Sequence, residues 1–149
     1  MSARVFAVAL GEDGVALAKR LGADATVNGR EHDVASAARE LAPDGLDAAL
    51  LTAGGEAAER ALETLRDGGR VAYPRGGRLE PESRPGVAVK DYVGDDAGPE
   101  VFEKLNRLIM SGPFEVHVAR TFPLEHAAEA HRALDEHYLG KLALRPSGR

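Results

Sequence analysis

Leu46-Asp47-Ala48-Ala49-Leu50-Leu51-Thr52-Ala53-Gly54-Gly55 is the stretch on which the rest of the sequence turns. It carries no charge after Asp47 and stops at paired glycines. An apolar run of this length between turn signals predicts a strand buried on both faces, the kind found in parallel sheets covered by helices. Upstream, a helical pattern ends at Pro43-Asp44-Gly45. Downstream, Glu56–Leu65 is a second helical pattern, followed by Gly68-Gly69 and a second buried strand, Arg70–Pro74. Strand, helix and strand make a parallel crossover unit. In open sheets of this type ligands sit beyond the carboxyl ends of the strands. Here those ends are Thr52–Gly55 and Tyr73–Gly77.

The same alternation runs outward in both directions. Arg4–Leu10 predicts a strand, and Gly11 turns the chain. Glu12 and Asp13 open a helix where its dipole favours negative charge, and Gly22 is placed to end it. Ala25–Val27 is a short strand turned by Asn28-Gly29, and Asp33 caps the next helix, whose apolar side includes Val34, Ala37, Ala38 and Leu41. Beyond the central unit, Arg75–Pro85 reads as an exposed loop and Val87–Val93 as a strand. Gly94–Gly98 is acidic and turn-like. Pro99 suits the first position of a helix with a buried stripe of Val101, Leu105, Leu108 and Ile109. Phe114–Phe122 predicts a strand with one wet face. Leu124–His137 predicts a helix buried through Ala127, Ala130, His131 and Leu134, and Lys141–Arg145 is a final strand. The economical fold is α/β, three-layered, with a mostly parallel sheet, in a single domain over residues 1–149.

Composition narrows the function. At 44% hydrophobic and 29% charged residues, the balance is that of a soluble globular chain. A net charge of −5 with no basic tract argues against nucleic acid. There is no cysteine, hence no disulfide and no thiolate metal site. No run reaches transmembrane length and no cleavable leader is visible, which points to the cytoplasm and away from membranes.

Three pieces of sequence coincide. They are Leu-Gly-Ala-Asp-Ala-Thr-Val-Asn at 21–28, Asp-Gly-Gly-Arg-Val-Ala-Tyr-Pro at 67–74, and Phe-Pro-Leu-Glu-His-Ala-Ala-Glu-Ala-His-Arg-Ala-Leu at 122–134, the last followed by Gly-Lys-Leu-Ala-Leu-Arg-Pro at 140–146. In this order and spacing the chain resembles the C-terminal half of medium-chain dehydrogenases/reductases, nearest to the zinc-free, quinone-oxidoreductase-like (zeta-crystallin-like) branch. The resemblance implies a Rossmann-like nucleotide domain that binds NADP or, less favourably, NAD. It also implies hydride transfer to a quinone, enone or related carbonyl compound. The sequence departs from the family in one decisive place. Such enzymes lead a first strand into a glycine-rich turn that seats the pyrophosphate on a helix N-terminus, and no Gly-x-Gly occurs here. Measured against the family, the fold is incomplete at its N-terminus, without the first strand and without the catalytic domain.

In the 3-2-1-4-5-6 order that first strand is central. Without it, Arg4–Leu10 and Leu46–Thr52 lose a shared neighbour, and unpaired edges are sticky. Two repairs follow: the two strands pair directly, or copies of the chain cover one another's exposed sheet edges as a homo-oligomer.

The resemblance assigns the cofactor positions. Ala9-Leu10-Gly11, at the end of the family's second strand, would select between NAD and NADP. No acid precedes Glu12, which leans toward NADP, although Gly14 stands where a phosphate-binding cation often does. The plain alternative is a strand-to-helix turn. Thr52, Ala53, Gly54 and Gly55 would face the ribose or nicotinamide, or form a tight turn. Tyr73, Pro74 and Arg75 would lie by the nicotinamide, with Arg75 either meeting a phosphate or standing in solvent. His126, His131 and His137, spaced by five and six, do not share a helical face, so no metal site is read here. Tyr138 and Lys141 are three apart across a glycine, not the four a helical tyrosine–lysine pair needs. No catalytic residue emerges. Two functions compete: the cofactor-binding part of an NADP-dependent oxidoreductase, inactive by itself, and a non-catalytic remnant or oligomerisation module that has lost the dinucleotide.

Overall fold

The computed structural model describes residues 3–52, 56–75, 81, 84–92, 98–112 and 114–146, the side chains of 57 and 58 excepted. The chain divides into two units, Met1–Gly98 and Pro99–Arg149. The first contains β1 (Phe6–Ala9), α1 (Glu12–Arg20), β2 (Ala25–Asn28), α2 (Val34–Leu41), β3 (Leu46–Leu50), α3 (Glu56–Glu63), β4 (Leu65–Pro74) and β5 (Ala88–Tyr92). β1 pairs with β2, β3 with β4, and β4 with β5, every time in parallel. The α/β, Rossmann-like architecture with parallel sheets is therefore what the chain adopts.

Local chemistry explains the element ends. Glu12 and Asp13 occupy the first turn of α1, and Lys19 and Arg20 the last, each charge matched to its end of the helix dipole. Asp33 caps α2: its Oδ1 accepts the Ser36 N–H at 2.8 Å. The backbone N–H groups of Ser36, foremost, and Ala35 hold the Asp33 carboxyl below its ordinary range. α3 stops at Glu63, and the following Thr64 donates its buried hydroxyl to the Ala61 carbonyl at 2.6 Å. Arg84 reaches back to the same helix end and donates to the carbonyls of Leu62 and Leu65 at 2.8 and 2.6 Å. The apolar core of the β3–β5 half is Leu51, Leu62, Leu65 and Val71, with Leu46, Ala49 and Tyr73 packed against it. On the β1–β2 half, Val15, Val27, Val34 and Ala38 are buried.

Several expectations change. β3 is not buried on both faces: Ala48 and Leu50 are exposed, Leu50 at 65%. Both faces of a strand are buried where helices cover the sheet, and among the described residues β3 is an edge strand paired with β4 alone. β4 begins at Leu65, five residues early, and absorbs Gly68-Gly69 through a register irregularity against β3 between Leu46 and Ala48. Of the two repairs, direct pairing of Arg4–Leu10 with Leu46–Thr52 is not formed; β1 and β3 belong to separate sheets. In the Arg75–Pro85 loop, Pro81 is buried and Arg84 is half-buried. Gly76–Glu80, Glu82, Ser83 and Val93–Ala97 lie outside the described residues.

The second unit contains α4 (Pro99–Ser111), β6 (Val118–Pro123), α5 (Ala127–Arg132) and β7 (Lys141–Arg145). β6 and β7 pair in parallel, and Ala130 and Ala133 bury against Phe122 and Leu142. The long final helix of the sequence reading is instead a 3-10 turn over Leu124–His126, then α5, then a second 3-10 turn over Ala133–Asp135. Ala127, Ala130 and Ala133 turn inward, while His131 and Leu134 are exposed. The stripe expected to be buried on α4, with Val101, Leu105, Leu108 and Ile109, is also exposed, because the packing within this unit is that of α5 on β6 and β7. Among the described residues no helix is long and apolar enough to cross a membrane.

Candidate functional site

Two groups of residues stand at the carboxyl ends of the parallel strands. The first closes β1 and β2. Ala9 ends β1, Leu10 is half in solvent, and Gly11 adopts φ +88 before α1. That left-handed conformation suits glycine, and a Cβ on Gly11 would stand 2.9 Å from Asp13 Oδ1. Asn28, 3% exposed at the end of β2, fixes the turn from across the pair. Its Oδ1 accepts from the Gly11 N–H at 3.1 Å and the Arg30 N–H at 3.2 Å, and its Nδ2 donates to Glu12 Oε1 at 3.4 Å. Every polar atom of a buried amide thus has a partner. The sequence reading placed Asn28 only in a turn; its signal was a side chain with donor and acceptor at the very end of an apolar strand.

The second group closes β3 to β5. Thr52 follows Leu51, whose N–H donates to the Ala72 carbonyl at 2.9 Å, so it stands level with the end of β4. Ala53, Gly54 and Gly55 lie outside the described residues. Tyr73 packs on the Leu51–Val71 cluster, and Pro74 is in register with Tyr92. The Arg75 N–H donates to the Tyr92 carbonyl at 2.9 Å, and its guanidinium hydrogen-bonds Asp91. Hydrogen bonding and charge together hold the Asp91 carboxyl below the ordinary carboxylate range and raise Arg75 further. Arg75 is thus an ion-paired side chain with an exposed face rather than a bare solvated one.

A cleft of about 450 Å³ opens between α1, β2 and α2, lined by Glu12, Val15, Thr26, Asn28 and His32 among others. The buried Thr26 hydroxyl has no hydrogen-bond partner there. The cleft adjoins the Asn28 group and is not lined by Thr52 or Tyr73–Arg75.

Comparison with known proteins now has geometry to rest on. A family model described as zinc-binding dehydrogenase matches residues 21–144. The chain belongs to that family and corresponds to the C-terminal, nucleotide-binding half of the medium-chain dehydrogenases/reductases. An NAD-dependent alcohol dehydrogenase of known structure is 28% identical, with a TM-score of 0.80 over 97% of this chain and 44% of its own. An alcohol dehydrogenase zinc-binding domain protein from Burkholderia ambifaria is 27% identical, with a TM-score of 0.70 over 87% of this chain and 38% of its own. A quinone oxidoreductase from Pseudomonas syringae pv. Tomato, 20% identical, shares the fold, with a TM-score of 0.79 over 96% of this chain and 49% of its own. This chain therefore spans less than half the length of these solved relatives. No curated protein matches it.

The family description invokes zinc, which takes thiolate, imidazole and carboxylate ligands. This sequence has no cysteine, and among the described residues no three of His, Asp and Glu gather. The described residues do not fit a zinc centre. A dinucleotide fits in part. At the Gly11 turn the backbone N–H is held by Asn28 Oδ1 and the carbonyl by the Val15 N–H, and a Cβ would meet Asp13, so the turn requires glycine. For the pyrophosphate the sequence offers no Gly-x-Gly turn.

Proposed function

We propose that the chain is the cofactor-binding part of an NADP-dependent oxidoreductase that moves hydride between the nicotinamide and a quinone, enone or alcohol-type substrate. The observation that carries this reading is the Gly11 turn, held open by Asn28 at the carboxyl end of a parallel strand. Family membership and the oxidoreductase relatives support it. Ala9, Leu10 and Gly11 would receive the adenosine ribose. Thr52 to Gly55 and Tyr73, Pro74 and Arg75 would line the path toward the nicotinamide, which supplies the hydride chemistry when bound. Arg75 can offer its exposed guanidinium face to a phosphate without leaving Asp91. Self-association through exposed sheet edges and a cytoplasmic setting belong to the same reading.

The end of β1 carries no acid to repel a 2′-phosphate, and the charge of Glu12 and Asp13 in the first turn of α1 lessens that preference without reversing it. The test is calorimetric titration of the chain with NADPH and NADH. The reading predicts saturable binding, tighter for NADPH, and a Glu12→Gln variant that gains affinity for NADPH more than for NADH. Absence of binding by either at millimolar concentration overturns it. The second reading, a non-catalytic remnant or oligomerisation module, then stands; the missing Gly-x-Gly turn and the open sheet edges favour it. Sedimentation across a concentration series reads the self-association directly.

A further inference from the structure

The sequence holds two asparagines and no glutamine. Asn106 lies exposed on α4 and precedes Arg107, whereas Asn28 is 3% exposed and precedes Gly29. An asparagine before glycine is suited to attack on its own side chain. The next backbone nitrogen reaches the side-chain carbonyl carbon, Cγ, by closing a small ring, and glycine has no Cβ to stand in the way. The fold readies the carbon and engages the nitrogen. Asn28 Oδ1 accepts the N–H groups of Gly11 at 3.1 Å and Arg30 at 3.2 Å, and donors so placed draw electrons from a carbonyl carbon. The bond from Arg30 also folds the side chain back over Gly29. The Gly29 N–H, in contrast, donates to the Ala9 carbonyl at 2.9 Å. Asn28 Nδ2 donates to Glu12 Oε1 at 3.4 Å. As long as Asn28 stays in register with Ala9 at the end of β2, the nitrogen is occupied.

We propose that Asn28-Gly29 is a self-modification site, gated by opening of the β1–β2 end, whose product releases the Gly11 turn. Once Gly29 leaves the Ala9 carbonyl, its nitrogen loses a proton to hydroxide and attacks Asn28 Cγ. The Cγ–Nδ2 bond breaks, Nδ2 leaves as ammonia, and a cyclic imide remains. Water then opens either imide C–N bond, giving aspartate or isoaspartate. The net change is a water taken up and an ammonia released, with nothing oxidised or reduced. Either product replaces the Nδ2 donor with a negative charge beside Glu12. Isoaspartate also runs the main chain through Cγ, which lengthens it and withdraws the oxygen that held the Gly11 N–H. The inference concerns the free chain and is independent of dinucleotide binding.

The test holds the full chain in mildly alkaline buffer, native and in urea, and follows conversion at each asparagine by peptide mapping with isoaspartyl methyl labelling. Amide exchange at Gly29 is measured on the native sample. Native Asn28 is expected to convert more slowly than in urea by about tenfold or more, and by the same factor that slows Gly29 exchange. Both events need that N–H to leave Ala9 and lose its proton. In urea Asn106 is expected to lag behind Asn28. Equal rates at Asn28 in the native and urea samples, no isoaspartate at Asn28 in urea, or native conversion uncoupled from Gly29 exchange overturns the proposal. Val27→Ala weakens the buried packing of β2 and is expected to speed Gly29 exchange and Asn28 conversion together, by about tenfold. A rise in only one of them also overturns it. Should that variant fail to fold, wild-type chain in graded urea below its midpoint supplies the same comparison. In the converted chain the Gly11 amide is expected to lose its exchange protection; retained protection would refute the release of the turn.

Discussion

At the end of β1–β2 the side chain that crosses between strands is Asn28, neutral and buried; at the end of β4–β5 it is Arg75, charged and 65% exposed, reaching Asp91 at 32%. The contrast follows from desolvation. A buried amide with every hydrogen bond made costs little, whereas a buried charge costs much unless fully compensated. The Gly11 turn is therefore fixed by a group that neither pH nor salt alters. The β5 end is fixed by a pair that water, salt or an incoming anion can compete for. The first end is held by buried hydrogen bonds and the second by a partly exposed ion pair.

The largest effect asks what holds the β3–β5 half. Leu65 is 3% exposed in the cluster with Leu51, Leu62 and Val71. Leu65→Ala removes buried volume from a packed core and is expected to cost about 3 kcal/mol in urea unfolding. Arg75→Ala should move the same midpoint far less, since exposed pairs contribute little. An Arg75→Ala loss as large as that of Leu65→Ala would break the contrast, because the ion pair would then be holding the half-sheet.

Next comes the neutral pin. Asn28→Ala strands the N–H groups of Gly11 and Arg30 and is expected to cost about 2 kcal/mol. Asn28→Asp keeps the acceptor, loses the donor to Glu12, and buries a carboxylate beside another. Burial and like charge raise an acid's folded pKa above its unfolded value of about 4. The variant is then closest to wild type at acid pH and loses stability as pH rises toward that folded pKa. Urea midpoints between acid and neutral pH read the slope; a flat difference would mean that Asp at 28 is not desolvated.

Much of this was legible in the residues themselves. Strand–helix alternation, the Asp33 cap, Pro99 opening a helix and Lys141–Arg145 as the last strand all rest on local chemistry, and local chemistry is what a sequence states directly. The errors are of another kind. Leu50, Leu134 and the α4 stripe are apolar residues read as buried because they are apolar, yet burial needs a partner surface, which no periodicity encodes. His131 lies one residue past the buried Ala130 in α5 and is exposed. Asn28 and Asp91 were passed over because each acts across a strand pair, at separations of 17 and 16 residues from the groups it holds.

The smallest effect sharpens the contrast by separating two carboxylates that are both held below the ordinary value of 3.8, for different reasons. Asp33 is lowered mainly by the Ser36 backbone N–H, and Asp91 mainly by the Arg75 side chain. A depressed folded pKa gives stability that is present above the unfolded pKa and lost as pH falls through the folded one. Both Asp33→Ala and Asp91→Asn should therefore lower Tm at neutral pH, and both differences should close as the medium becomes strongly acid. Salt divides them. At about 1 M the screening length falls to about 3 Å, shorter than a solvent-exposed ion pair can ignore. The Asp91→Asn difference should shrink there while the Asp33→Ala difference persists, since a cap is a short hydrogen bond to the backbone and not a pair of free charges. Equal salt sensitivity at the two sites would mean that Asp91 is held as rigidly as a cap, and that Arg75 is no more free to change partners than Asn28.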